Sequence, residues 1–137
     1  MNHPSKQEIG RILKSSKRIA VVGLSDQPHR TSYMVSKAMQ DAGYEIIPVN
    51  PTIDEALGVK AVASLKEIKE PVDIVNVFRR SEFLPEVAEE FLEIDAPVFW
   101  AQQGIYHEEA KRLIEENGRV AIMDLCIKVA HAMTKTH

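Results

Sequence analysis

Short apolar runs alternate along the chain with longer stretches in which apolar residues recur every three or four positions. The runs lie at residues 19–22, 45–49, 72–78, 97–101 and 120–123. They are β-branched and unbroken rather than alternating, as suits strands covered on both faces. The stretches between them have helical spacing. Residues 5–15 carry Ile9, Ile12 and Leu13 on one stripe, and residues 33–42 carry Val35, Ala38, Met39 and Ala42. Residues 82–94 place Leu84, Val87, Ala88, Phe91 and Leu92 on one face, and residues 108–117 and 127–133 complete the series. The punctuation agrees. Thr31 and Ser32 are N-cap candidates, Ser81 is another, and Gly43 and Gly118 stand where helices end. Residues 52–68 are less regular, and Leu57-Gly58 predicts a turn followed by a short helix within 62–68.

Five strands alternating with helices predict an α/β fold, a doubly wound parallel five-stranded sheet with helices on both faces. Ligands of such sheets bind beyond the carboxyl ends of the strands, near the switch in strand order. That rule selects four loops. The first follows strand one and holds Gly23, Leu24, Ser25, Asp26, Gln27, Pro28 and Arg30. The second, after Pro48-Val49, holds Asn50, Pro51 and Thr52. The third holds Phe78, Arg79 and Arg80, and the fourth holds Gln102, Gln103 and Gly104. In the first loop the order is strand, glycine turn, polar loop, helix. That order directs backbone N–H groups and the positive end of a helix at one place, which suits a phosphate. Arg30 adds a charge able to grip a phosphate with two hydrogen bonds.

Each candidate also has a plainer reading. Gly23 is equally explained by a tight turn, Phe78 by the core rather than by stacking on a base, and Gln103-Gly104 by a surface turn. Arg79 and Arg80 precede a helix, where positive charge opposes the helix dipole, so a phosphate accounts for Arg79 better than solvent does; Arg80 stays open. Trp100 reads as core. Asp26 is unfavourable near a phosphate unless it turns away, and His29 could add charge in the same loop below neutral pH. Cys126, between Leu125 and Ile127, reads as an inert thiol, and His107 and His131 have no metal-ligand spacing. The dinucleotide fingerprint is missing, because Ser25 and Pro28 stand where its second and third glycines would fall. The acidic residue expected after the second strand is also absent. No nucleophile, base and orienting group can be assembled from these spacings.

Composition narrows the classes further. The 137 residues suit one domain over 1–137, and 45% are apolar. The net charge of −3 gives no reason to expect nucleic acid. A single cysteine excludes an internal disulfide framework, and no apolar stretch is long enough for a bilayer span or a signal-peptide core. A cytoplasmic location is therefore expected, with neither metal nor membrane contact.

Taken together, the motifs resemble the CoA-binding domain family, small relatives of the N-terminal domain of the succinyl-CoA synthetase alpha subunit. The match rests on Gly23-x-Ser25 with Pro28, Arg30 and Ser32, on Gly43-Tyr44, and on Pro48-Val49-Asn50-Pro51. It continues in Val72-Asp73-Ile74-Val75, Val77-Phe78-Arg79-Arg80, Trp100 with Gln103-Gly104-Ile105, and Asp124 with Cys126. The resemblance implies a Rossmann-like fold with CoA or an acyl-CoA as cofactor. Ser25 to Pro28 and Arg30 would hold the phosphates, with the Asn50 turn beside the nucleotide and Phe78, Arg79 and Gln102 to Gly104 lining the pocket. Ser25-Asp26-Gln27-Pro28 replaces the synthetase's glycine-rich loop. Synthetase catalysis needs a phosphorylated histidine on a second domain and a partner subunit, so the expectation is a non-enzyme that binds CoA. The alternatives are an NAD(P)- or nucleotide-binding sensor on the same fold and an acyl-CoA-processing enzyme using Cys126 or a histidine. Self-association and an unknown protein partner both remain open.

Overall fold

The computed structural model describes residues 3–135. In chain order, α1 (Lys6–Ser15) leads into β1 (Arg18–Val22), and α2 (Thr31–Asp41) into β2 (Glu45–Val49). Two short strands follow, β3 (Glu55–Ala56) and β4 (Val59–Lys60), and then β5 (Ile74–Val77) and α3 (Leu84–Leu92). The series closes with β6 (Val98–Ala101), α4 (Glu108–Glu116), β7 (Val120–Ile122) and α5 (Ile127–Thr134). The five long strands form one sheet in the order β2-β1-β5-β6-β7. Every pairing within it is parallel. The order reverses between β1 and β5, so the exits of these two strands flank the switch point.

Alternate side chains explain the two layers. Ala20, Val22, Ile47, Val49, Val75 and Phe99 belong to one core, with Val87 and Phe91 of α3 and Ile114 of α4. Ile19, Val21, Ile46, Ile74, Val98 and Trp100 belong to the other, with Ile9 and Leu13 of α1, Val35 and Met39 of α2, and Ile127 of α5. Both faces of each strand are therefore dry, which is why the runs are continuous in the sequence. Trp100 is fully buried, as expected, and its Nε1 donates to the Leu125 carbonyl at 2.9 Å.

Three local expectations need correction. The helix within 62–68 is only a 3-10 turn, Leu65–Glu67. Ahead of it, β3 and β4 pair antiparallel around Leu57 (φ 55°) and Gly58 (φ 76°), a tight hairpin whose strands are too short to leave a period in the sequence. The helix expected from Glu82 starts as a 3-10 turn, Ser81–Phe83, and becomes α-helical only at Leu84. Pro85 lies in the first turn, where its missing N–H costs nothing. Ser81 does not cap that helix; its Oγ accepts from the Tyr106 N–H at 3.0 Å. Beyond β4 the chain returns to β2. Val62 bridges Val49, donates its N–H to the Pro48 carbonyl at 3.0 Å, and accepts from the Asn50 N–H at 2.9 Å.

Tyr44, just ahead of β2, is buried and donates its hydroxyl proton to the Leu13 carbonyl, tying the end of α1 to the sheet. Burial raises its pKa above the usual value of 10.0. The folded state therefore holds this proton where an unfolded chain would release it, and stability falls as pH rises above about 10. Absorbance titration of the three tyrosines is expected to show one phenol ionising late. That late phase should vanish in Tyr44→Phe.

A candidate ligand cleft at the strand exits

The loops after β1, β2 and β5 are tied to one another by main-chain bonds. Gly23 N–H donates to the Val49 carbonyl at 2.9 Å, and Phe78 N–H donates to the Val22 carbonyl at 2.9 Å. Gly23 has φ +86°, and a Cβ built on it would lie 2.5 Å from the Phe78 carbonyl oxygen. A side chain there would be both strained and in collision with main chain, so the glycine is required before any ligand is considered. Asn50 completes the clamp. Its Nδ2 donates to the Leu24 carbonyl at 3.0 Å, and its Oδ1 accepts from Thr52 N–H at 2.9 Å and Thr52 Oγ1 at 2.7 Å.

The loop from β1 to α2 folds on its own polar groups. Ser25 N–H donates to Ser32 Oγ at 3.0 Å, Ser25 Oγ accepts from Gln27 N–H at 3.0 Å, and Gln27 Nε2 donates to Asp26 Oδ1 at 3.1 Å. The N-cap of α2 is Arg30, not Thr31 or Ser32, and no side chain caps this helix. Ser32 is already the first loop's acceptor, which removes it as a cap. Among the described residues, the N–H groups of Thr31, Ser32 and Tyr33 have no protein acceptor. They stand at the positive end of α2 with Arg30 beside them.

Two adjoining clefts open at this switch point and share Gly23, Asn50, Thr52 and Phe78. One, of about 820 Å³, is walled by the β1–α2 loop and by Arg30, Thr31 and Ser32. The other, of about 590 Å³, runs past Pro51 and Arg79 to Ser64, Val87 and Glu90. Both volumes are of the size that small ligands occupy. The Arg79 guanidinium sits 4.7 Å from the Phe83 ring centre and has no carboxylate partner among the described residues. Arg80 pairs instead with Glu82 at 3.6 Å. The Arg80 guanidinium also lies over the Phe83 ring, 5.4 Å from its centre, so the two arginines share that ring and differ in that Arg80 has a carboxylate partner. Phe78 is half-buried, with core on one side and both clefts on the other.

The sequence-selected residues divide accordingly. Gly23, Ser25, Asp26, Gln27, Arg30, Asn50 and Phe78 line the larger cleft, and Pro51 and Arg79 line its neighbour. The Leu24 side chain is core, so only its main chain belongs to the loop. Pro28 is exposed and outside the lining. Gln102, Gln103 and Gly104 line neither cleft. Gln102 is only 4% exposed. Its Oε1 accepts from the Ile127 N–H at 3.0 Å and faces Asn76 Nδ2 at 3.4 Å, so the side chain anchors the start of α5 rather than facing solvent. Gly104 N–H donates to Asp124 Oδ1 at 2.6 Å. Thr52, selected with Asn50 and Pro51, lines both clefts, and sequence reasoning missed Ser64 and Glu90. They lie in, or face, the segment whose hairpin left no period, and Glu90 sits one turn past Val87 on α3. Cys126 is half-buried at the start of α5, and no histidine hydrogen-bonds it among the described residues. No group of three or more potential metal ligands is present among the described residues, and no helix there is long and apolar enough to cross a membrane.

A parallel sheet wound on both faces, with its polar loops gathered at the switch point, defines a Rossmann-like domain. The chain belongs to the CoA binding domain family, whose model matches residues 17–132. It is 78% identical over 135 residues to the uncharacterized protein YneT of Bacillus subtilis (strain 168), covering 98% of this chain and 100% of that one. A solved structure from Thermus thermophilus superposes with a TM-score of 0.93 at 36% identity, over 96% of this chain and 100% of that one. The chain is also 28% identical over 74 residues to the acetate–CoA ligase (ADP-forming) of Methanocaldococcus jannaschii. That match covers 54% of this chain and 10% of the ligase.

Two substitutions separate scaffold from site. Gly23→Ala is expected to cost roughly 2–5 kcal/mol, from the left-handed backbone and the contact with Phe78 together, read as a lowered denaturant midpoint. Gln102→Ala leaves the Ile127 N–H and Asn76 short of a partner and is expected to cost about 1–3 kcal/mol, read the same way.

Proposed function

We propose that this protein binds CoA or an acyl-CoA at the switch point and does not itself catalyse a reaction. The observation that carries the reading is the meeting of three acceptor-less N–H groups at the start of α2 with Arg30. A pyrophosphate fits that set, because helix N-termini and guanidinium groups both favour phosphate oxygens. The adenosine part would lie against Phe78 and the Asn50 turn, where Arg79 faces the same space. The pantetheine arm would run toward Gln103 and Gly104, with Gln102 holding that turn from beneath. The membership in the CoA binding domain family supports the ligand class. The partial match to a CoA ligase supports it too, although that match spans only a tenth of the enzyme's length. The non-catalytic part of the reading rests on the cleft's inventory. No side chain there is arranged as a nucleophile hydrogen-bonded to a base.

Calorimetric titration with CoA, acetyl-CoA, NAD and ATP tests the reading. Saturable binding of CoA or acetyl-CoA in preference to NAD and ATP is expected. Arg30→Ala should weaken CoA by about 1–3 kcal/mol, the range for losing a charged hydrogen-bond partner, and leave the fold intact because the side chain is exposed. Equal or tighter binding of NAD would replace CoA with a dinucleotide. Turnover of acetyl-CoA that is lost in Cys126→Ser would overturn the non-catalytic part.

A further inference from the structure

The molecule holds a second cavity that shares no residue with the clefts described above. It lies between α1 and the end of α5, has a volume of about 680 Å³, and is entered beside Tyr44, which precedes β2. It is thus at the amino end of the strands, across the sheet from the switch point. Leu13 and Tyr44 form its apolar floor, and the His131 ring stands edge-on to Tyr44 with centres 5.7 Å apart. The Tyr44 hydroxyl is already used on the Leu13 carbonyl, so the floor presents ring and aliphatic surface.

The rim is of one sign. Lys6, Arg11, Lys14 and Lys135 all line the cavity. None of them has a carboxylate within ion-pair distance among the described residues, whereas Lys37, Lys66, Arg80, Lys111 and Arg112 do. Residues 3–18 contain five Lys or Arg against the single acid Glu8, in a chain whose net charge is −3. Glu8 is not in the cavity lining; it lines an adjoining depression that Arg11 and Lys14 also border, and among the described residues it forms no ion pair with either. Four unpaired cations around an apolar hollow leave like charges to repel one another unless an anion joins them. A bare phosphate would satisfy the rim and waste the floor. A neutral apolar molecule would do the reverse. A flexible chain ending in a carboxylate satisfies both, and the volume is within the range of small-ligand sites.

We propose that the groove between α1 and α5 is a second binding site, for an aliphatic carboxylate whose head meets Arg11 and Lys14 and whose chain lies on Leu13 and Tyr44. The proposal stands whether or not CoA occupies the switch point.

The probe is decanoate, titrated into the full chain and followed by amide chemical shifts, with decanamide as the uncharged control. Saturable shifts confined to Gly10, Tyr44, Thr134 and Lys135 and their neighbours are expected. Arg11→Gln combined with Lys14→Gln should weaken decanoate at least tenfold while leaving the thermal midpoint nearly unchanged, since both side chains are exposed. Decanamide should bind more weakly than decanoate to the wild type and equally to both forms. Saturating CoA should not displace decanoate. No saturable shift at millimolar decanoate would overturn the proposal. So would shifts centred on Gly23 and Phe78, or an affinity indifferent to the double substitution.

Discussion

The structure depends on one close approach of main chain to main chain. Where β1 leaves the sheet, the chain must turn at once and pass the carbonyl of Phe78, with room for a hydrogen but not for a methyl group. That passage draws the exits of β1, β2 and β5 together, with the Gly23–Val49 and Phe78–Val22 bonds as its stitches. Everything polar at this end follows from it. The loop after Gly23 must curl back on Ser25 and Ser32, α2 begins without a cap, and Asn50 spends its amide closing the gap to Leu24. The cleft is the space left over once those bonds are made. A residue can therefore line it and still owe its identity to the scaffold, as Gly23 and Asn50 do.

Buried polar groups set the opposite side of the same end. Asn76 within β5 and Gln102 just past the end of β6, 1% and 4% exposed, are buried among apolar neighbours. Each is satisfied. Asn76 donates to the Trp100 carbonyl at 3.1 Å, and Gln102 receives the first N–H of α5. Two polar side chains in a dry layer are tolerable only because their partners are fixed. In return they fix where α5 starts and how Leu125 and Cys126 cross the sheet end.

The sheet was legible in the sequence because its strands are buried on both faces and so appear as unbroken apolar runs. The parallel pairing followed from the alternation of strands and helices, whereas the strand order is known only from the structure. The candidate cleft was legible through the loops after strands one, two and three. The fourth loop misled in part, because Gln102 looks like any other polar residue past a strand and only the structure shows its side chain pointing in. Helix starts were legible to within a turn, and Ser5 caps α1 where the sequence placed its start, but the caps expected of α2 and α3 were not found. Ser32 and Ser81 both carry a hydroxyl at the right place, yet both give it to another loop, and a competition between acceptors far apart in sequence leaves no local mark. Of the β3–β4 hairpin, the Leu57-Gly58 turn was legible and the strands were not, because two-residue strands have no period.

That hairpin has a further consequence. β2 is an outer strand of a parallel sheet, a position that ordinarily offers a row of open N–H and C=O groups to any other chain. Here Pro48 withholds one donor, and the return of the chain through Val62 occupies the neighbouring Pro48 carbonyl and Asn50 N–H. At the far margin β7 is only three residues long. Both margins of the sheet are therefore poor templates for strand addition, and crowded copies of this protein are not offered a ready path to edge-to-edge aggregation.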